Sequence, residues 1–205
     1  CSATDCAVSD GSKHHYLGRR GSNFTRCLAS GAYYGSNTST AFVINDDSPA
    51  GENSTLEACT VTMPVYSELM TGFYGHHNVA GNFGTLTIRD CSVTNCFAGV
   101  SAQHCDSTVI VNLTCAEVRY ALNYSDAANV TVSGLTHTAS AAIAARTLNN
   151  SAAITITIDG LVATIADAQT AVIYSSAASN ITLRNSTITT SKAATANQTH
   201  VNLTS

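Results

Sequence analysis

The chain has 205 residues, enough for one sizeable core or one elongated solenoid. Only 11% of them are charged, against about 25% in ordinary soluble domains, and the net charge is −4, so there is no basic footprint for nucleic acid. No apolar run approaches the ~20 residues that a membrane-spanning helix needs.

The stretch before Gly81 is the least regular. A chain opening at Cys1 reads as a processed mature end. Cys1, Cys6 and Cys27 are expected to tie down an irregular cap or arm over 1–40, ahead of a repetitive body over 41–205. The other cysteines are Cys59, Cys91, Cys96, Cys105 and Cys115, and none of the eight lies beyond Cys115. An even number beside many glycosylation motifs points to disulfides in an oxidising compartment. Reduced buried thiols, or a lipidated Cys1, are the alternatives. No Cys-x-x-Cys pair is present, which argues against a structural zinc site or a thioredoxin-like motif. A weak echo links Gly31-Ala-Tyr-Tyr-Gly-Ser-Asn to Gly72-Phe-Tyr-Gly-His-His-Asn. Each precedes an extended stretch ending in Asp, Thr40 to Asp46 and Thr85 to Asp90. A loop rich in Asp, Ser, Pro and Gly is expected near 45–54.

From about residue 83 the chain repeats. The segments Leu86-Thr-Ile-Arg-Asp, Val109-Ile-Val-Asn-Leu, Val130-Thr-Val-Ser-Gly, Ile156-Thr-Ile-Asp-Gly and Ile181-Thr-Leu-Arg-Asn line up at nearly even intervals. Each alternates apolar and polar residues, as a strand with one buried face does. A second strand-like piece follows in four units: Ala98-Gly-Val-Ser, Ala121-Leu-Asn-Tyr, Ala142-Ile-Ala-Ala and Ala171-Val-Ile-Tyr. A period in the twenties, with two or three short strands and no long helical pattern, predicts an all-β fold, a parallel β-helix or solenoid. The interior alanines predict narrow stretches or tight corners. Cys91 and Cys115 fall near one place in successive repeats, so a bridge between them is one option.

Phrases such as Asn129-Val-Thr-Val-Ser-Gly-Leu-Thr and Asn180-Ile-Thr-Leu-Arg-Asn-Ser-Thr-Ile-Thr resemble the right-handed parallel β-helix repeats of the pectin-lyase-like superfamily, over about 83–205. The resemblance implies the fold and barely a function. Polysaccharide lyases and hydrolases of that fold use clustered carboxylates, with calcium or a basic residue. Here Asp90, Asp106, Glu117, Asp126, Asp159 and Asp167 recur at no single position of the repeat, and Asp46 and Asp47 are adjacent in a predicted loop. No acid pair stands out, and no metal or cofactor is expected. His14-His15 and His76-His77 read as surface or tyrosine-packed histidines rather than ligands. His104 beside Cys105 reads as structural if that cysteine is oxidised. Tyr33, Tyr34, Phe73 and Tyr74 form the best sugar-stacking patch, with core packing as the equal alternative. Outward Thr87, Thr131, Thr157 and Thr182 form a threonine ladder of the kind ice-binding solenoids use, interrupted at Ile110.

Eleven of the sixteen asparagines occupy Asn-x-Ser/Thr: Asn23, Asn37, Asn53, Asn112, Asn123, Asn129, Asn149, Asn180, Asn185, Asn197 and Asn202. In a secreted chain this motif accepts N-linked sugar, which must face water. Strand alternation puts Asn129 and Thr131 outside when Val130 and Val132 are inside. The same logic turns Asn112 outward between inward Val111 and Leu113, and Asn123 between Leu122 and Tyr124. Together these features predict a secreted, N-glycosylated, non-enzymatic structural or adhesive protein of the cell surface. Its partners would be its own glycans and further copies stacked head to tail in a filament or coat. A carbohydrate-binding or carbohydrate-active β-helix is the competing expectation.

Overall fold

The computed structural model describes residues 2–4, 14–18, 21–31, 38–46, 53–77, 83–167, 171–191 and 201–203, with backbone alone at some strand positions. Among them sixteen strands follow one another: β1 (Ser2–Thr4), β2 (His14–Gly18), β3 (Asn23–Thr25), β4 (Leu28–Ser30), β5 (Ser39–Asp46), β6 (Ser54–Glu57), β7 (Thr60–His77), β8 (Phe83–Arg89), β9 (Ser92–Ala116), β10 (Tyr120–Ala139), β11 (Arg146–Asn150), β12 (Thr155–Ile165), β13 (Ile173–Ser175), β14 (Asn180–Arg184), β15 (Thr187–Thr190) and β16 (Val201–Leu203). No helix occurs among the described residues. Their strand pairings are all parallel, and each strand pairs with sequence one circuit away, so the chain winds into a β-solenoid.

The register resolves three sides. The first carries β3, β6, β8, the 107–111 part of β9, the 129–133 part of β10, the 155–159 part of β12, and β14. The second carries β1, β4, the starts of β7 and β9, then 114–116, 136–139, 162–165 and β15. The third carries β2, β5, the end of β7, then 98–103, 120–124, β11, β13 and β16. In-register pairing thus reaches back into the segment expected to be a cap, since β3 and β4 already stack on β6 and β7.

A left-handed residue turns the chain from the first side to the second in each circuit. Arg26, Ala58, Asp90, Asn112, Gly134, Gly160 and Asn185 all have positive φ, between 47° and 77°. Glycine adopts this region freely and Asn or Asp tolerate it better than other residues, which is why this column is mostly Asp, Asn and Gly.

Apolar columns fill the interior. Leu56, Ile88, Ile110, Val132 and Ile158 stack on the first side and are 1% exposed or less. On the third, Phe42, Phe73, Val100, Leu122, Leu148 and Ile173 stack in register, and Tyr16 lies on Phe42 with ring centroids 4.5 Å apart. The predicted narrow stretch is real. Flanking register pairs align Ala41, Gly72, Gly99, Ala121 and Thr147, and at Gly72 and Gly99 the surroundings approach too closely for a Cβ.

Several expectations change. Ala142-Ile-Ala is turn rather than strand, Ala145 forms a single bridge, and the strand that pairs with Leu122 and Asn123 is β11. Extra residues there form a detour whose Ser140 is held by Glu117 and whose Ile143 is buried. The Gly31/Gly72 echo is out of phase: Thr40–Asp46 stacks beside Thr71–His77, whereas Thr85–Arg89 belongs to another side. Val111 faces outward because the left-handed Asn112 resets the alternation. Five cysteines expected in disulfides, Cys59, Cys91, Cys96, Cys105 and Cys115, are free buried thiols that pack as small apolar residues. Cys91 and Cys115 are not column neighbours, since Thr114 N–H donates to the Cys91 carbonyl and sets Leu113 beside it. Cys27 is buried; Cys1, Cys6 and the loop at 47–52 lie outside the described residues.

Candidate functional site

The outer faces are the surfaces available for chemistry or recognition. Glycosylation motifs come first. Asn23, Asn53, Asn112, Asn129, Asn180 and Asn185 are exposed. Asn129 and Asn180 sit one column from their outward threonines, with Val130 fully inside and Ile181 partly so. Asn53 Oδ1 accepts the Thr85 N–H at 2.9 Å, which leaves its amide nitrogen outside that bond. Asn112 Nδ2 donates to Asp90 Oδ1 at 2.8 Å, and Asn185 Nδ2 donates to Asp159 Oδ1 at 2.8 Å. The first is a rung of the left-handed corner column; in the second, Asn185 of that column reaches Asp159, the residue before left-handed Gly160. An amide nitrogen carries two hydrogens, so one such bond leaves one for a glycosidic link. Asn123 and Asn149 are half-buried and bonded to each other, Nδ2 of Asn149 to Oδ1 of Asn123 at 2.8 Å. Arg146 also donates to Asn149 Oδ1 at 2.9 Å. Asn37 and Asn197 lie outside the described residues, as does the side chain of Asn202.

The corner rungs predict a stability effect. In unglycosylated protein, Asn112→Ala is expected to cost about 1–2 kcal/mol, from the left-handed backbone and the lost bond to Asp90, whereas Asn112→Gly should cost less because glycine carries no Cβ there. Denaturant midpoints of the two variants test this order, and a more stable alanine variant would refute it.

The expected threonine ladder is present, but Val109 interrupts it, because Ile110 points into the core. The column reads Asn23, Thr55, Thr87, Val109, Thr131, Thr157 and Thr182. A more complete hydroxyl face lies on the second side. One outward column runs Leu28, Thr60, Ser92, Thr114, Thr136, Val162 and Thr187. The next runs Ser30, Thr62, Thr94, Ala116, Thr138, Thr164 and Thr189. None of these positions holds an ionisable side chain. Rungs repeat every ~4.8 Å along the axis, and paired columns stand about 6.6 Å apart. Thr-x-Thr and Ser-x-Thr pairs just after the left-handed residue, as in Thr60-Val-Thr62 and Ser92-Val-Thr94, were the sequence signal for this face.

The third side is aromatic and cationic. Arg146 lies over the Tyr174 ring at 4.3 Å. Arg119 lies over Phe97 at 5.8 Å and Tyr120 at 5.4 Å, and pairs with Glu68 at 3.6 Å. The aromatic patch read from sequence is split: Phe73 is fully buried, Tyr74 donates its hydroxyl to Gln103 Oε1 at 2.9 Å, and Tyr33 and Tyr34 lie outside the described residues.

The acidic residues are placed structurally. Asp90 and Asp159 serve the corner column, and Glu117 accepts from the Ser140 N–H at 3.0 Å and its hydroxyl at 2.7 Å. The side chains of Asp46 and Asp126, and all of Asp47, lie outside the described residues. Among the described residues no three His, Cys, Asp or Glu side chains gather as metal ligands. His76 approaches Tyr74 and His104, with ring centroids 5.6 and 6.3 Å away. His14, His15 and His77 have no described side chains. Burial raises the thiols of Cys105 and Cys115 to about 12 and pushes Cys96 up as well, so these three stay protonated and unreactive at neutral pH. Sequence reading missed His137, which is completely buried on the second side. Its Nε2 lies 2.8 Å from the Val118 carbonyl and its Nδ1 lies 3.1 Å from Thr147 Oγ1.

No protein-family model, curated protein or solved structure matches the chain.

Proposed function

We propose that this is a non-enzymatic, extracellular, N-glycosylated β-solenoid with a structural or adhesive role. The observation that carries the reading is the outward placement of Asn23, Asn53, Asn112, Asn129, Asn180 and Asn185 on a surface poor in charge. Sugar on the first side and at its corner would solubilise the stack. It would leave the hydroxyl columns of the second side as a flat, neutral, regularly spaced contact surface. A repeating neutral polymer is the partner such a surface suits.

Intact mass of protein from its natural source, before and after enzymatic deglycosylation, tests this reading. The expected result is a mass loss on treatment, with occupancy highest at Asn23, Asn129 and Asn180 and lowest at the doubly bonded Asn149. An unmodified chain would overturn it.

A second reading, a carbohydrate-binding or carbohydrate-active β-helix, draws on the third side. Its Phe97, Tyr120 and Tyr174 rings with Arg119 and Arg146 offer stacking and hydrogen-bonding groups. Retention on insoluble polysaccharide would support binding, and release of soluble product would support an enzyme.

A further inference from the structure

Cys27, Cys59 and Cys91 occupy one column at the corner that follows the left-handed residue. The pairings Leu28↔Thr60 and Thr60↔Ser92 fix this register, as do the bonds from Thr60 N–H to the Cys27 carbonyl and from Ser92 N–H to the Cys59 carbonyl. In the next circuit Leu113 takes the same place. Cys59 and Cys91 are therefore direct neighbours across two parallel strands, although a full circuit of chain separates them. The Cys59 N–H points at Cys91 Sγ at 3.4 Å.

We propose that Cys59 and Cys91 form an oxidisable pair, an inter-strand disulfide site that clamps two successive circuits of the solenoid. Neighbouring parallel strands lie ~4.8 Å apart, inside the roughly 4.4–6.8 Å Cα separation that a disulfide spans. The bond needs one local rearrangement. Cys59 Sγ now leans toward the Phe24 carbonyl at 3.4 Å and must swing about its Cα–Cβ bond toward Cys91. Cys27, on the other side of Cys59 in the column, is already disulfide-bonded, and the remaining described thiols lack this arrangement: Cys96 pairs with Ser67, Cys105 with Phe83 and Ala127, and Cys115 with His137.

The chemistry is thiol–disulfide exchange with a low-molecular-weight disulfide as oxidant. The Cys59 thiolate attacks one sulfur of the oxidant, which forms a mixed disulfide and expels one oxidant thiolate. The Cys91 thiolate then attacks the Cys59 sulfur, closes the protein disulfide and expels the second. The two protons lost by the protein thiols leave with the two expelled thiolates, and the protein gives up two electrons to the oxidant. The exchange balances equally with the roles of the two thiols exchanged. Both residues are almost wholly inaccessible, so exchange proceeds during folding or local opening.

The test folds the full chain in glutathione buffers poised oxidising or reducing, alkylates remaining thiols after denaturation, and maps unreduced peptides. The oxidised sample should yield a cross-linked pair containing Cys59 and Cys91, two hydrogens lighter than the dithiol, with Cys96, Cys105 and Cys115 alkylated. Its melting temperature should rise by roughly 5–10 °C, a gain removed by reductant and absent from Cys59→Ser and Cys91→Ser chains. Alkylation of both residues after oxidising folding, or linkage of either to another cysteine, overturns the proposal. The peptide map of the unsubstituted chain decides the matter even where a serine variant fails to fold.

Discussion

Gly99→Val is expected to destabilise the chain by more than about 3 kcal/mol, the upper range for overpacking a tight interior. Gly99 lies in the small-residue column of the third side, between Gly72 and Ala121. A Cβ at Gly99 would stand 2.7 Å from the Ala121 carbonyl oxygen and 2.6 Å from Cys115 Sγ. The thiol can rotate away, but the carbonyl belongs to the backbone of the neighbouring strand. Relief therefore requires the strands to part, which weakens the ladder hydrogen bonds on both sides of the column. Valine adds two further methyl groups to the same gap. Gly99→Ala carries the primary clash alone and should cost about 1–3 kcal/mol. Gly72→Ala meets Val93 side-chain atoms at 2.7 and 2.9 Å and the Gly99 carbonyl at 2.8 Å, so it should fall in the same range. Guanidinium unfolding midpoints measure all three. A valine variant with the parent midpoint would mean that neighbouring strands separate at this column without cost.

The same column illustrates how much of the fold can be read from the chain. Period-two alternation marks a strand wherever one face is buried and the other wet, so the first side was legible in Val130-Thr-Val and Ile156-Thr-Ile. Phase was harder. A residue in the left-handed region resets which side chains point inward, and no alternation pattern announces it when the residue is Arg26 or Ala58. Alternation alone puts Val111 inside and Cys91 beside Cys115, whereas the left-handed Asp90 and Asn112 reset the phase at both places. The second side was almost unread for a related reason. Its strands are short, and its outward Ser and Thr resemble turn residues until the register lines them up. The thiol pair at Cys59 and Cys91 depended on two circuits of equal length, Leu28 to Thr60 and Thr60 to Ser92, in a region whose repeat is masked by irregular loops. The asparagine motifs needed no register, and outward placement held for most of those described.

Acidification is expected to weaken the fold by about 3 kcal/mol between pH 6.5 and 4, through His137 alone. The imidazole is sealed in the core beside the Cys115 column position. A backbone carbonyl only accepts, so Nε2 carries the proton and donates to Val118, while Nδ1 accepts from the Thr147 hydroxyl. That neutral tautomer is fully satisfied. Adding a second proton at Nδ1 would put a charge in the interior and break the acceptor role toward Thr147. Burial lowers the pKa from 6.5 to about 4, although the Val118 carbonyl and the Glu117 carboxylate both oppose the shift. The unfolded chain binds a proton near pH 6.5 and the folded chain does not until about pH 4. Stability from this group is therefore complete above pH 6.5, declines as pH falls through that window, and levels off below it. His137→Gln should reduce stability at pH 7.5, because its amide reproduces the two bonds imperfectly, yet it should flatten the slope between pH 6.5 and 4. Comparing the two slopes in urea separates His137 from the exposed carboxylates, which titrate in both chains. Equal slopes would mean that the imidazole takes up its proton without leaving the core, and that the sealed geometry around Val118 and Thr147 opens more readily than its hydrogen bonds imply.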